Sequence, residues 1–225
     1  MDLLPIILSL KIAAVSTVFT FFIGMYAAWK TANIMWGKGI LDAIFTLPMV
    51  LPPTVTGFFL LIFFGKSSTI GKFLAEIDFD MIFSWRGAVL ASVVVTFPLM
   101  YRTTRSAFEQ LNPNLIDAGR TLGLSEIRIF WKIVFPNCLP GILGATILSF
   151  SRALGEFGAT IMIAGNIPGK TQTASLAVYT AMQAGNRALA YQWVLVLMLI
   201  SFAAMLLMNM VNSRQDLLIR KGGRG

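Results

Sequence analysis

Long apolar stretches alternate with short polar segments along the whole chain. The apolar stretches cover about residues 6–29, 40–64, 87–108, 139–164 and 189–211. Crossing the hydrocarbon core of a bilayer takes roughly 20 residues of helix, and no soluble domain of useful size fits between the stretches. The pattern therefore predicts an all-α, polytopic membrane helix bundle of about five transmembrane helices, with residues 1–225 forming a single transmembrane domain.

Prolines lie in the interior of the second and third of these stretches. Pro48, Pro52 and Pro53 lie close together in the second stretch, and Pro98 lies in the third. Proline removes a backbone N–H, and within a membrane this is tolerated where neighbouring helices or a wet cavity satisfy the freed carbonyls. We therefore expect the second span to be a broken helix that faces the interior of the bundle, and the third to be kinked.

The polar segment at residues 109–136 has a different pattern, of short amphipathic pieces. Asn112 is a good N-cap residue, Pro113 suits the first helical position, and Gly123 suits a left-handed C-terminal cap. Ser125 is placed to cap a second short helix, over about residues 126–135. The segment therefore predicts two brief helices joined at Gly123 and lying along one face of the membrane.

Composition and charge support the membrane assignment and orient the chain. Apolar residues make up 56% of the sequence and charged residues 12%, against roughly 45–50% and about 25% in soluble domains. A net charge of +8 could indicate nucleic-acid binding, but the basic residues are concentrated on one side of the predicted bundle. This asymmetry is typical of membrane proteins, in which the basic side is the cytoplasmic side. The expected topology has the N-terminus outside and the C-terminus in the cytoplasm. Most of the 18 basic residues fall on the cytoplasmic side: Lys30, Lys38, Arg102, Arg105, Arg120, Arg128, Lys132, Arg214, Arg220, Lys221 and Arg224.

The sequence offers little for catalysis, metal binding or a cofactor. It has no His and a single cysteine, Cys138, so the commonest general base and transition-metal ligand is missing. The run Gly169-Lys170-Thr171 ends like a phosphate-binding loop, but Ala164 replaces the required earlier glycine and the run follows a membrane helix. We expect neither an enzyme nor a resident metal or cofactor.

The spacing of small and apolar residues within 109–136 resembles the EAA loop of permeases in binding-protein-dependent ABC importers. The departures are Asp117 for the usual Glu, Gly119 for Ala and Phe135 for Leu. The resemblance implies that the segment couples the membrane domain to a separate ATP-binding cassette subunit, present in two copies. The expected ATPase-coupling residues are Asp117, Ala118, Gly119, Gly123, Ile133 and Pro136.

Two further runs, at residues 154–160 and 165–173, resemble the sulfate and molybdate branch of these permeases, and the second is more similar to the molybdate members. The resemblance implies a type I, MetI-like permease in the cell inner membrane that imports an oxyanion, most simply molybdate, by alternating access. It also implies an external substrate-binding protein and a second copy of the chain as partners. Sulfate, thiosulfate and tungstate stay as alternative cargoes, and a passive channel or a structural membrane subunit as alternative functions.

The candidate transport route carries charge in a predicted span. Arg152 and Glu156, four residues apart, are expected on one helix face; such a pair either holds the span against its neighbours or lines and gates the anion route. Hydroxyl and amide groups in the predicted helices are candidate anion donors, although such hydroxyls often bond their own backbone instead. These donors are Thr54, Thr56, Ser149, Ser151, Thr160 and Asn166.

Overall fold

The computed structural model describes residues 3–32, 34 and 37–222, so Arg224 of the charge count lies outside the described residues. In this part of the chain every regular element is helical. The α-helices are α1 (Leu4–Ala32), α2 (Lys38–Val50), α3 (Pro53–Phe64), α4 (Thr69–Glu76), α5 (Trp85–Glu109), α6 (Pro113–Thr121), α7 (Glu126–Ile129), α8 (Phe135–Leu154), α9 (Gly158–Ala164), α10 (Ala174–Gln183) and α11 (Arg187–Gly222). A π-helical turn, Phe130–Val134, joins α7 to α8.

Four helical runs in the described residues are long and apolar enough to cross a bilayer. They are α1, α5, the continuous run Glu126–Leu154, and the Arg187–Leu207 part of α11. The helices α2 and α3 pass the same test only as a pair. The structure therefore has four candidate spans, or five if α2 and α3 together make one broken span, which confirms the predicted bundle.

The break in the second span falls at the predicted prolines. The axes of α2 and α3 meet at 106°. Leu51 and Pro52 between them are extended, with ψ values of 142° and 135°. Because neither Pro52 nor Pro53 has a backbone N–H to continue the helical hydrogen bonds of α2, the chain turns here and starts a new helix.

The contact between α1 and α5 forms the centre of the bundle and depends on small residues. The hydroxyl oxygens of Thr20 and Thr96 lie 3.2 Å apart in a fully buried position. One turn further along α1, a Cβ on Gly24 would come within 2.8 Å of Met100 Cγ. Between membrane helices, where apolar burial gives little advantage over lipid, such close backbone approach provides the packing energy.

The predicted boundaries around the fourth span are wrong in two respects. The expected short helix at 126–135 does not end there but runs through the π-helical turn into α8. The expected span at 139–164 is instead divided, because α8 ends at Leu154 and α9 begins at Gly158. The wider π-helical turn precedes Pro136, whose ring would clash with a carbonyl of a regular α-helical turn. Ser125 occupies the expected N-cap position, but its side chain accepts no capping hydrogen bond.

Two helices lie in segments for which no helix was expected. Ser68 caps α4 by accepting a hydrogen bond from the Gly71 amide. The helix α10 starts at Ala174, whose amide donates to Ser9 Oγ at 2.8 Å, and it packs along the first part of α11 around the buried Trp193. Because Ser9 is near the start of α1, the helix α10 sits at the end of the molecule where α1 begins, which is the expected outer side.

Candidate functional site

The helix α6 has the boundaries that its cap residues predict. Asn112 Oδ1 accepts a hydrogen bond from the Asn114 amide at 3.0 Å, and Pro113 occupies the first helical position, where no N–H is needed. The helix is therefore well defined at its start without support from the rest of the bundle.

The end of α6 is a tight turn at Gly123. Its φ of +71° lies in the left-handed region, and its amide donates to the Arg120 carbonyl at 2.9 Å. The next amide, of Leu124, donates to the Gly119 carbonyl at 3.1 Å. These two hydrogen bonds form a Schellman turn, in which glycine is favoured because it has no Cβ. The turn directs the chain straight into α7.

Two residues of the EAA-like pattern contact each other across this turn. A Cβ on Gly119 would lie 2.8 Å from Ile133 Cδ1 and 3.2 Å from Ile129 Cγ1. Gly119 and Ile133, 14 positions apart in sequence, thus form one close contact between α6 and the π-helical turn that leads into α8. We call this turn, together with the first residues of α8, the root of α8. This contact fixes α6 onto the membrane helix that carries Arg152.

The outer surface of α6 and its turn is exposed and carries large apolar side chains. Leu122 is 79% exposed and Ile127 is 73% exposed, while Asp117, Ala118, Gly123 and Pro136 are exposed as well. Nothing lies within 4 Å of a Cβ placed on Gly123. An exposed apolar patch of this kind, at the start of the Glu126–Leu154 run and in the turn before it, is typical of a surface that a protein partner covers.

An ion-pair bridge stiffens this exposed surface. Arg120 Nε lies 2.8 Å from Glu126 Oε1, and Arg120 Nη1 lies 3.2 Å from Asp117 Oδ1. The hydrogen bond to Glu126 is the main cause that raises the pKa of Arg120 above its usual value. The bridge links α6 to the start of α7 on either side of Gly123, and so helps to hold the two helices at a fixed angle.

The two helix breaks of the chain lie against each other. A Cβ on Gly158, the first residue of α9, would lie 3.0 Å from Pro53 Cβ and 3.2 Å from the Thr54 amide nitrogen. One turn later a Cβ on Gly57 would lie 2.7 Å from the Ala159 Cα. We call the residues 51–52 and 155–157 the paired breaks. Because they adjoin, the starts of α3 and α9 form one common region.

Most of the expected donor residues surround the paired breaks. Thr54 is exposed, whereas Thr56 and Thr160 are buried, at 5% and 1% exposure. Ser149 is also fully buried, one and a half turns before the end of α8. Neither Thr56 Oγ1 nor Ser149 Oγ has a hydrogen-bond partner in the described part of the chain. Ser151 instead bonds the Ile147 carbonyl of its own helix, and Asn166 donates to Thr180 in α10.

Arg152 and Glu156 form an ion pair, but not on one helix face as expected, because α8 ends at Leu154 and Glu156 lies in the break. Arg152 Nη1 lies 2.7 Å from Glu156 Oε2, an ionic contact without the alignment of a good hydrogen bond. Glu156 Oε1 accepts from the Ala159 amide at 2.9 Å, which caps α9. The Glu156 side chain is 1% exposed and that of Arg152 is 38% exposed, so the cation alone faces outward from the break.

A polar cluster that the sequence analysis did not identify joins α2 to α5. Asp42 contacts both the Arg105 guanidinium and the Tyr101 hydroxyl, and Glu109 bonds Lys38 and Arg105, each at 2.8 Å. The sequence did contain a feature that could have predicted this cluster: Asp42 is an isolated acid in an apolar stretch, where an ionisable residue needs a partner. The cluster holds α2, which has no buried residue of its own.

Two neighbouring cavities open beside this cluster, at the α6 end of the molecule. The larger, of about 640 Å³, lies between α5, the cap of α6 and the start of α8. The smaller, of about 340 Å³, lies between α2 and α5. Arg102 and Ser106 line both cavities.

Known proteins resemble this chain over most of its length. The ModB molybdenum transport system permease protein of Escherichia coli (strain K12) is 44% identical over 180 residues, covering 79% of each chain. ModB of Haemophilus influenzae is 38% identical over 228 residues, covering 100% of this chain and 98% of that protein. The sulfate transport system permease protein CysT of Salmonella typhimurium is 36% identical over 176 residues, covering 78% of this chain and 64% of that protein.

Solved structures share the fold at lower identity. An inward-facing MetNI methionine ABC transporter matches with a TM-score of 0.66 at 20% identity, covering 92% of this chain and 94% of that chain. A bacterial ABC transporter that imports alginate matches with a TM-score of 0.76 at 15% identity, covering 94% and 79%. The family model described as binding-protein-dependent transport system inner membrane component matches residues 20–217. The chain therefore belongs to this family of inner-membrane transport components.

Proposed function

We propose that this chain is the permease subunit of an ATP-driven importer that moves molybdate into the cytoplasm. The observation that carries the proposal is the 38–44% identity, over most of the chain, to two permeases named for molybdenum transport. Identity to the sulfate permease CysT is lower, at 36%, and covers less of that protein. Sulfate, thiosulfate and tungstate are therefore the second candidates.

Import of such an anion needs an energy source outside this chain. Moving a dianion against a negative interior costs about 4.6 kcal/mol per 100 mV, twice the value for one charge. We infer that two ATP-binding cassette subunits supply this energy and dock on the exposed surface of α6 and its turn. The proposed docking residues are Asp117, Ala118 and Gly123. Gly119 and Ile133 hold α6 against the root of α8, where Pro136 also lies.

The contact between Gly119 and Ile133 supports a lever mechanism. A force applied to α6 passes through this contact into α8, and α8 leads to Arg152 and the paired breaks. In a homodimer of this chain, closure of the ATPase subunits moves the two α6 helices together and opens the route toward an external binding protein that delivers the anion. ATP hydrolysis resets the route to the cytoplasmic side.

The paired breaks are the proposed location of the route and its gate. The breaks that precede α3 and α9 adjoin each other, which supports this location, because irregular backbone in a membrane is tolerated where it lines a cavity or is buried in protein. Arg152 offers the exposed cation, while Glu156 positions it and is shielded from the anion. Thr54 is the exposed hydroxyl donor, and Thr56, Ser149 and Thr160 are buried donors that a change in helix position would uncover.

Uptake with competition tests the cargo. The permease, its ATPase and its binding protein would be reconstituted in proteoliposomes, and uptake of labelled molybdate measured with excess sulfate, thiosulfate or tungstate. We expect ATP-dependent uptake that excess sulfate does not reduce. Efficient competition by sulfate would assign the cargo to the sulfate branch, and uptake without ATP would indicate a passive channel.

A Gly123→Val substitution tests the lever. Valine at a φ of +71° costs roughly 1–2 kcal/mol in the left-handed region, and it would unwind the Schellman turn. We expect an inserted protein whose ATPase is no longer stimulated by the loaded binding protein. Gly169→Val is the matched control, since Gly169 has a φ of +73°, similar open space, and lies in the expected external segment. Equal loss of coupling in both variants would refute the lever.

A further inference from the structure

Among the described residues, Arg102 of α5 is a cation without an ion-pair partner. Arg102 is exposed and lines both cavities beside α5. In the described part of the chain it makes no ion pair within 4.0 Å, although two carboxylates line the smaller cavity with it. An unpaired guanidinium in a recess attracts an anion, and it has five N–H donors that match oxyanion geometry.

The nearby carboxylates are already neutralised by other cations. Asp42 contacts Arg105 and Tyr101, and Glu109 bonds both Lys38 and Arg105. The acids of the polar cluster therefore do not compete for Arg102. Its charge remains available to the larger cavity, which no acidic residue lines.

The larger cavity also has neutral groups suited to an anion. Ser106 Oγ accepts a hydrogen bond from Gln110 Nε2 at 3.0 Å, which leaves the Ser106 hydroxyl proton free to donate. Thr103, Asn112 and Asn137 line the same space. A volume of about 640 Å³ accommodates a tetrahedral oxyanion together with bound water.

The larger cavity adjoins α6, the helix that is proposed to dock with the ATPase. Its wall includes Asn112, whose side chain caps α6, and Asn137 and Gly141 near the start of α8. Gly119 lies on the helix that Asn112 caps, and Ile133 lies about one turn before Asn137, so each side of the Gly119 to Ile133 contact is within about two turns of a residue that lines this cavity. An anion held here would touch both elements through which the ATPase is proposed to act.

We propose that the Arg102 cavity is a second oxyanion site, distinct from the paired breaks, that holds a tetrahedral dianion on the cytoplasmic side before release. That the anion is molybdate rests on the proposed function. That it is an oxyanion follows from the chemistry of the cavity itself. A lipid phosphate presents the same chemistry as free molybdate or sulfate, so the experiment must separate the two sources.

The test is direct binding to the purified permease–ATPase complex in detergent, without binding protein. Labelled molybdate and sulfate would be titrated by equilibrium dialysis, with and without added anionic phospholipid. We expect saturable binding that is about tenfold weaker in Arg102→Gln, as for loss of one charge-assisted contact. Arg102→Lys should bind with intermediate strength, and added lipid should not displace the anion.

Arg187→Gln provides the matched control, because it removes an exposed arginine at the start of α11, away from both cavities. Its binding should equal that of the unaltered complex. Unchanged binding in Arg102→Gln, or displacement by anionic lipid, would overturn the proposal. So would loss of the ATPase subunit from the purified Arg102→Gln complex, since this would make Arg102 a protein contact.

The outcomes separate this inference from the proposed function. If the unaltered complex takes up molybdate but Arg102→Gln binds it normally, the cavity proposal fails and the importer stands. If uptake shows sulfate as the cargo while sulfate binding depends on Arg102, the cavity proposal stands and the molybdate assignment fails.

Discussion

At residue 119 the absence of a side chain lets α6 lie directly on the root of α8. The nearest atom to an added Cβ is Ile133 Cδ1, at 2.8 Å, which is the tip of a flexible side chain. A methyl group can be accommodated there by a rotation of Ile133, whereas a larger side chain must move the helix. The consequence of a substitution should therefore depend steeply on its size.

We predict that Gly119→Ala retains transport and that Gly119→Leu abolishes coupling. Alanine favours the helical state of α6 by about 1 kcal/mol over glycine, which offsets the small displacement of Ile133. Leucine overpacks the contact at a cost of about 1–3 kcal/mol and lifts α6 from α8. The measurement is ATP-dependent uptake at equal amounts of inserted protein. Equal uptake by the two variants would show that this contact transmits nothing.

The Arg152–Glu156 pair leads to a second prediction at the residue scale. Arg152→Gln leaves the buried Glu156 carboxylate without its cation, which we expect to cost about 2 kcal/mol, between the values for exposed and buried pairs. Glu156→Gln retains an oxygen to accept from the Ala159 amide and should cost less. Thermal unfolding of the purified protein should rank the Arg152→Gln variant as least stable, with the double variant partly restored. A double variant less stable than Arg152→Gln would contradict this.

The structural role of a site residue could be predicted where that role depends only on its neighbours in sequence. The capping positions of Asn112 and Gly123 were predicted correctly, because a cap is defined by its own few residues. The ion pair of Arg152 was expected from its spacing, but the position of Glu156 in a break was not. The partners of Asp42 and the contact of Gly57 with Ala159 join segments far apart in sequence, and no local pattern specifies such contacts.

At the scale of elements, the packing of α3 on α9 holds the paired breaks together. An added Cβ on Gly57 would lie 2.7 Å from the Ala159 Cα and 2.8 Å from its carbonyl oxygen. These are backbone atoms of a helix, so they cannot move aside as a side-chain tip does. The two helices must then separate even for a methyl group.

We therefore predict that Gly57→Ala lowers the free energy of unfolding by about 1–3 kcal/mol through overpacking. The matched control is Gly39→Ala, also in a helix of the broken span, where nothing lies within 4 Å of an added Cβ. This control should be neutral or stabilising, by up to about 1 kcal/mol of helix propensity. Thermal unfolding in detergent compares the two variants. A Gly57→Ala protein as stable as the control would mean that α3 and α9 are not tightly packed.

The element boundaries were predictable where proline or glycine acts locally, and not elsewhere. The prolines at 48, 52 and 53 correctly predicted the break between α2 and α3. In contrast, the run at 139–164 did not specify that the chain leaves α8 at Leu154, because apart from Arg152 and Glu156 the residues near the break are apolar or small, and Gly155 and Gly158 suit close helix packing as well as a hinge. The helix α10 was missed because its stability depends on α1 and α11, through Ser9 and Trp193.

At the scale of the whole molecule, the proposed mechanism requires that α6 and the α10–α11 turn lie on opposite sides of the membrane. Gly123 ends α6, and Gly185 lies between α10 and α11. The two glycines have φ values of +71° and +72°, and neither has an atom within 4 Å of an added Cβ. They are therefore equivalent positions in conformation and exposure, and they differ only in the expected side.

We predict that a membrane-impermeant maleimide labels Gly185→Cys on intact cells and labels Gly123→Cys only after the membrane is permeabilised. The native Cys138 should stay unlabelled in both variants, because it is 4% exposed and its thiol donates to the Ala107 carbonyl. Because both substitutions impose the same left-handed strain, a difference in labelling reports topology alone. Labelling of Gly123→Cys from outside would place α6 away from any cytoplasmic ATPase, and neither the lever nor the importer would then be possible.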